Sequence, residues 1–166
     1  MKRVVILGRG AAGKSTLARQ LGGVTGLPVT ELDKLFWQSG LAPTGRVQWI
    51  ELQNQLIRSD AWILDGDLGP HDAVEVRLSA ADTIVLLDFG FTRCAWRAWR
   101  RAPERIDFWR WVWAYRRESL PVLMATIARH APRATVHILR NPVAVTQFVS
   151  GVKAGTGSSG NRLPHP

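Results

Sequence analysis

Apolar residues along this chain gather in five short blocks, separated by stretches with helical spacing. Residues 3–7 (RVVIL) form a β-branched run that stops at Gly8, the pattern of a strand buried on both faces. Pro28–Glu31, Ala61–Leu64, Thr83–Leu87 and Val136–Leu139 give four more strands. Between them, Lys14–Leu21 reads as a helix. Val47–Ser59 reads as another, because Trp49, Ile50, Leu56 and Ile57 share a face. Residues 71–79 are weakly helical, and residues 38–46 (QSGLAPTGR) carry the turn residues of a loop. Two helical stretches, 91–102 and 107–119, are split by Pro103, with Asp107 as N-cap of the second. Pro121 forces a break or a restart, giving a helix to about Arg129. Val143–Val149 is the last helix, and the Gly/Ser/Pro-rich stretch 151–166 is expected to be disordered.

Strands alternating with helices dictate a parallel sheet covered on both sides. The expected fold is therefore three-layer α/β/α on a five-stranded parallel sheet, one domain over residues 1–150. Such sheets bind ligands beyond the carboxyl ends of their strands. Three of the strands here end at residues that carry chemistry: Gly8, Asp65 and Asp88.

The composition narrows the field. A chain of 166 residues that is 46% apolar can bury a sizeable core and is not intrinsically disordered. Cys94 is the lone cysteine, so no intrachain disulfide forms, and a reducing, cytoplasmic compartment is expected. No apolar run approaches the roughly 20 residues of a membrane helix, so no membrane partner is expected. The net charge of +9 points to an anionic partner, and 18 of the 22 basic residues are arginine, which favours forked recognition of oxyanions.

One motif says which anion. Gly8-Arg9-Gly10-Ala11-Ala12-Gly13-Lys14-Ser15, followed by Thr16, is a Walker A phosphate loop, placed after a strand and opening a helix. Its glycines let successive N–H groups face phosphate oxygens, and the helix N-terminus adds a favourable field. Lys14 reaches the outer phosphates and Ser15 offers a hydroxyl to Mg²⁺. ATP with Mg²⁺ is the implied ligand. The metal calls for a carboxylate: Asp65 is the first choice and Asp88 the second, each also able simply to cap its turn. Asp33, after the second strand, is placed to act as a general base on an acceptor hydroxyl, or to cap a short helix at Lys34–Trp37. Asp67 either adds an acid to the same pocket or caps the 71–79 helix.

Between Arg93 and Arg117 lie eight arginines and five of the eight tryptophans. The tryptophans read as core. The arginines do not, since so many cannot be buried without anionic partners, and a transferring phosphoryl group supplies one. The four histidines have no metal-ligand spacing, and Cys94 reads as a buried, inert thiol.

The segments GRGAAGKSTLARQL, VTELDKLFW, AWILDGD, ADTIVLLDF, WAYRRESLP and VHILRNPVAVTQF, in this order, resemble the adenylate-kinase-like P-loop proteins called DNA topology modulation proteins. These are relatives of small-molecule and nucleoside monophosphate kinases. The resemblance implies an acceptor-binding region at about 32–78 and a short lid at about 100–107. It also implies that Arg97 stacks on adenine, that Arg101, Arg116 and Arg117 close on the phosphates, and that Asn141-Pro142 borders the base. Where the family commonly has D-G-N, this chain has Asp65-Gly66-Asp67, which adds negative charge near the metal site. The expected activity is transfer of the γ-phosphoryl group of Mg-ATP to a small-molecule or nucleotide-like acceptor, by a monomer or homodimer. The alternative is an ATP-binding protein with a nucleic-acid-related or regulatory role and little turnover.

Overall fold

β1 (Arg3–Gly8) is buried on both faces because it is the middle strand of the sheet. The computed structural model describes residues 1–37, 43–101, 109 and 113–159. Within them β2 (Val29–Glu31), β3 (Trp62–Asp65), β4 (Thr83–Leu87) and β5 (Thr135–Leu139) join β1 in one parallel sheet of order β2-β3-β1-β4-β5. The register sets Ile6 against Asp65 on one side and Gly8 against Leu87 on the other. The carboxyl ends of three strands, with Asp65, Gly8 and Asp88, thus lie side by side.

Alternation along the strands divides the core in two. Val4 and Ile6 face a layer built from Leu17, Ala18 and Leu21 of α1 (Lys14–Thr25) and from Val145, Phe148 and Val152 of α7 (Pro142–Ser159). Val5 and Leu7 face the opposite layer. There Leu32 and Phe36 of α2 (Leu32–Phe36), Trp49 of α3 (Arg46–Leu56), Leu78 of α4 (Val74–Ala80) and Leu123 and Ile127 of α6 (Ser119–His130) pack together. The result is the expected three-layer α/β/α fold.

Several boundaries differ from expectation. The weakly helical 71–79 stretch is a 3₁₀ turn at Gly69–His71 followed by α4. The restart at Pro121 begins at Ser119, so the proline sits in the first turn of α6, where its missing N–H costs no hydrogen bond. Residues 151–159, expected to be disordered, continue α7. Val152 packs on the α1 layer and the Thr156 hydroxyl reaches the Val24 carbonyl, so tertiary contact overrides the poor helix propensity of Gly151 and Gly155. The Pro103 split, the Asp107 cap and most of the 107–119 helix and of the lid fall outside the described residues.

The tryptophans divide. Trp49 and Trp62 are buried, but Trp96, Trp99 and Trp113 are exposed, Trp99 by 74%. α5 (Phe91–Arg101) instead buries its small residues, Cys94 and Ala98. The helix lies close enough to the phosphate loop for the Arg97 guanidinium to stand 3.3 Å from where a β-carbon on Gly13 would be. Small side chains permit that approach, and the indoles go to the surface.

Candidate functional site

The phosphate loop occupies the turn between β1 and α1, as its motif requires. Gly8 has φ 138°, and a β-carbon there would come within 2.5 Å of the Leu87 carbonyl oxygen, so only glycine lets β1 turn beside β4. Gly13 has φ 100° and caps α1, and Ala11 is left-handed at φ 59°. Gly10 and Ala12 complete the turn, with the Ala12 N–H donating to the Arg9 carbonyl at 3.2 Å. Lys14 folds back so that its Nζ donates to the carbonyls of Gly8 at 3.0 Å and Arg9 at 3.4 Å. Its ammonium is thereby held inside the curve of the loop. Ser15 and Thr16 follow in the first turn of α1.

Asp65, at the end of β3, is 2% exposed, and its Oδ1 has no hydrogen-bond partner. Burial raises its pKa, while the Ser15 hydroxyl bonded to it and the nearby Lys14 pull it back down. A buried carboxylate oxygen without a partner, next to the hydroxyl of the phosphate-loop serine, is a donor set that fits a hard divalent cation. Asp88 is differently placed. Arg116 donates from Nε to one of its oxygens and from Nη2 to the other, each at 2.9 Å, and Arg140 stands 3.8 Å away. Its charge is already answered.

Asp33 lies in the first turn of α2, not at its cap, and is exposed. Crowding by protein raises its pKa. Lys14 lowers it, Asp67 and Asp72 raise it, and Arg77 lowers it. Asp67 caps no helix: it accepts from the Gly69 N–H at 3.2 Å and from the Tyr115 hydroxyl at 3.1 Å. Burial, with Asp67 alongside, holds the Tyr115 hydroxyl above its usual range, so it stays a donor.

The arginines are in several states. Arg97 faces Gly13 of the phosphate loop. Arg116 is held by Asp88, and Arg117 lies over the Trp113 ring at 5.4 Å. Arg101 ends α5, and its side chain lies outside the described residues. Asn141 caps α7, its Oδ1 accepting from the Ala144 N–H, with Pro142 as the first helical residue. A cavity of about 240 Å³ opens beside the loop, lined by Arg9, Phe91, Trp113, Arg116 and Arg117.

Sequence reading passed over three of these residues. Arg77 is fully buried, gripping Asp72 at 2.8 and 2.6 Å, the Gln53 amide oxygen at 2.8 Å and the Gly66 carbonyl at 2.9 Å. It anchors the turn that follows Asp65. The signal was a lone arginine between Val76 and Leu78, five residues after an aspartate. Arg9 stood in a variable position of the motif and Tyr115 in a stretch read only for its helical face, and nothing in their spacing marks either.

The fold has many solved counterparts. A shikimate kinase from Acinetobacter baumannii, in complex with shikimate, superposes with a TM-score of 0.68 at 16% identity, over 98% of this chain and 96% of that one. A gluconokinase from Sinorhizobium meliloti gives 0.54 at 16% identity, over 95% and 93%. A deoxyadenosine kinase from M. mycoides, with dCMP and dCDP bound, gives 0.58 at 10% identity, over 93% and 98%. At these identities the likeness establishes the fold alone, which this chain shares with those three kinases. No family model matches the chain, and no curated protein matches it in sequence. Among the described residues no helix is long and apolar enough to cross a membrane.

Proposed function

We propose that this protein is a phosphotransferase that moves the γ-phosphoryl group of ATP to a small-molecule or nucleotide-like acceptor. The observation that carries the reading is the bare Oδ1 of buried Asp65 beside Ser15, at the mouth of a loop that already clasps Lys14. The backbone amides of Gly10 to Ser15 and the Lys14 ammonium would hold the phosphates. Ser15 and Asp65 would hold Mg²⁺, which when bound offsets the charge of the phosphate oxygens. Thr16 lies within the same run, and Arg97 stacks on the adenine.

The acceptor lies on the β2–β3 side, over Asp33. When it is a hydroxyl, its oxygen bonds to the γ-phosphorus, the bond to the bridging oxygen of ADP breaks, and the proton passes to Asp33. When it is a nucleotide phosphate, Asp33 only positions. Arg101, Arg116 and Arg117 neutralise the transferring group as the lid closes and water leaves. A screen of ADP release over nucleosides, nucleotides, sugars, sugar acids and phenolic alcohols tests this, with Lys14→Ala as the blank. Asp33→Asn losing turnover while keeping ATP affinity supports the hydroxyl acceptor, and no ADP release above the blank counts against transfer.

A second reading is supported by the exposed Trp96, Trp99 and Trp113, with Arg100 over Trp96 at 4.7 Å and Arg117 over Trp113. Arginine-backed indoles at a surface can stack on unpaired bases, so the protein would be an ATP-dependent nucleic-acid-related or regulatory factor, as the resemblance to DNA topology modulation proteins suggests. Titration with single-stranded DNA at two salt concentrations tests it, and absence of binding at low salt removes it.

A further inference from the structure

The cavity between the phosphate loop, the β4–α5 turn and residues 113–117 contains a charge the fold leaves unanswered. Arg9 is 1% exposed. Its Nη1 makes one long hydrogen bond, 3.4 Å to the Phe89 carbonyl, and its Nε makes none. Its Cζ lies over the Tyr115 ring, 5.5 Å from the ring centre, and no carboxylate among the described residues pairs with it. A buried guanidinium without an anion is costly, and burying it beside a void is costlier than filling the space with an apolar side chain. Arg117 lies on the rim over Trp113 with no acidic partner among the described residues. Among the described residues, Arg116 is the one lining arginine with a carboxylate partner, and Asp88 uses its Nε and Nη2. The lining therefore carries two positive charges beyond what Asp88 balances.

We propose that this cavity is a second oxyanion site, beside the backbone cradle of the phosphate loop and lined by the side chain of the loop's Arg9, and that it receives a carboxylate or phosphate carried by the acceptor itself. The inference rests on the phosphotransferase reading and deepens it: the acceptor is an anionic molecule. Three features support the assignment. A volume of about 240 Å³ accommodates an oxyanion and the atoms that bear it, since a water molecule needs only about 30 Å³. Phe91 and Trp113 supply flat apolar walls for those atoms. Tyr115 ties the cavity to the acceptor cleft, its ring under Arg9 and its hydroxyl on Asp67, one of the acids whose field reaches Asp33. Acids at one end and arginines at the other orient a two-ended acceptor, with the hydroxyl toward Asp33 and the anion toward Arg9 and Arg117.

The test begins with protein saturated with Mg²⁺ and a non-hydrolysable ATP analogue, so that the phosphate loop is filled. Inorganic phosphate is then titrated and followed by calorimetry and by thermal shift. One further equivalent is expected to bind, at least tenfold more weakly to Arg9→Met and to Arg9→Gln, while analogue affinity is unchanged. Arg9→Met is also expected to melt no lower than the parent without ligand, whereas an arginine serving only packing would lower the melting temperature when removed. Should Arg9→Met fail to fold, Arg9→Gln, which keeps a polar side chain, carries the test. Acceptor pairs that differ only in an anionic group, such as a sugar acid and its sugar or a nucleotide and its nucleoside, identify the source of the oxyanion. A preference in kcat/KM of tenfold or more for the anionic member, collapsing in either variant, supports the assignment. Phosphate binding without that preference, neutral acceptors used equally well, or no second equivalent would each overturn it. Failure of the analogue itself to bind would instead remove the phosphotransferase reading, so the two failures are distinguishable.

Discussion

Asp65 weakens the protein it belongs to. Its carboxylate is buried, Oδ1 has no partner, and desolvation lifts its pKa, as it does that of Asp33. Folding therefore binds protons at these two sites at pH values above their ordinary 3.8, where the unfolded chain has released them. Their contribution to stability is greatest below that value and falls as pH rises through the raised folded values. Asp72 works in the opposite sense: burial pushes its pKa up, but the Arg77 charge and several hydrogen bonds outweigh that and lower it, so its contribution is lost on acidification. Replacing Asp65 by Asn should raise stability without ligand by about 1 kcal/mol. The gain in melting temperature should be larger at pH 7 than at pH 4, and Mg²⁺ should no longer strengthen nucleotide binding. A variant that is less stable at pH 7 would mean that Asp65 is held by bonds rather than waiting for a cation. If Asp33 is the base, turnover falls as pH drops through its raised pKa, with the profile read in kcat.

Elements hold the site through Arg77 and through the end of α7. Arg77 joins α4 to Gln53 of α3 and to the Gly66 carbonyl, so its loss frees the turn after Asp65 and strands Asp72 as a buried charge. Arg77→Ala should cost about 3–5 kcal/mol in urea denaturation, and the double replacement Arg77→Met with Asp72→Leu clearly less. Removing residues 151–166 should cost about 1 kcal/mol through the loss of Val152 packing.

The five strands were legible because parallel strands buried on both faces are continuous apolar runs bounded by turn residues. The phosphate loop was legible because its backbone demands glycine at fixed places. The end of α7 was not, since Gly151 and Gly155 report local propensity and not the α1 face that holds Val152 in place. The indoles misled because burial was inferred from side-chain size, whereas α5 meets the loop through Cys94 and Ala98. Arg77 and Arg9 take their roles from partners distant in sequence, which periodicity does not reveal.

At the scale of the molecule, the sheet brings Gly8, Asp65 and Asp88 to one edge, and the helices on both faces fix that edge in place. Charge is distributed with the same polarity: acids over β2 and β3, arginines from α5 to residue 117. The net charge of +9 strengthens any anion's approach at low salt and fades as ions screen it. Nucleotide bound at 100 times its dissociation constant would stabilise the fold by about 2.7 kcal/mol. The most direct measurement is calorimetric titration of the protein with a non-hydrolysable ATP analogue, with and without Mg²⁺, beside Lys14→Ala. One equivalent should bind, Mg²⁺ should tighten it, and Lys14→Ala should weaken it at least tenfold. Absence of binding, or equal binding by Lys14→Ala, would contradict a triphosphate cradle at the end of β1.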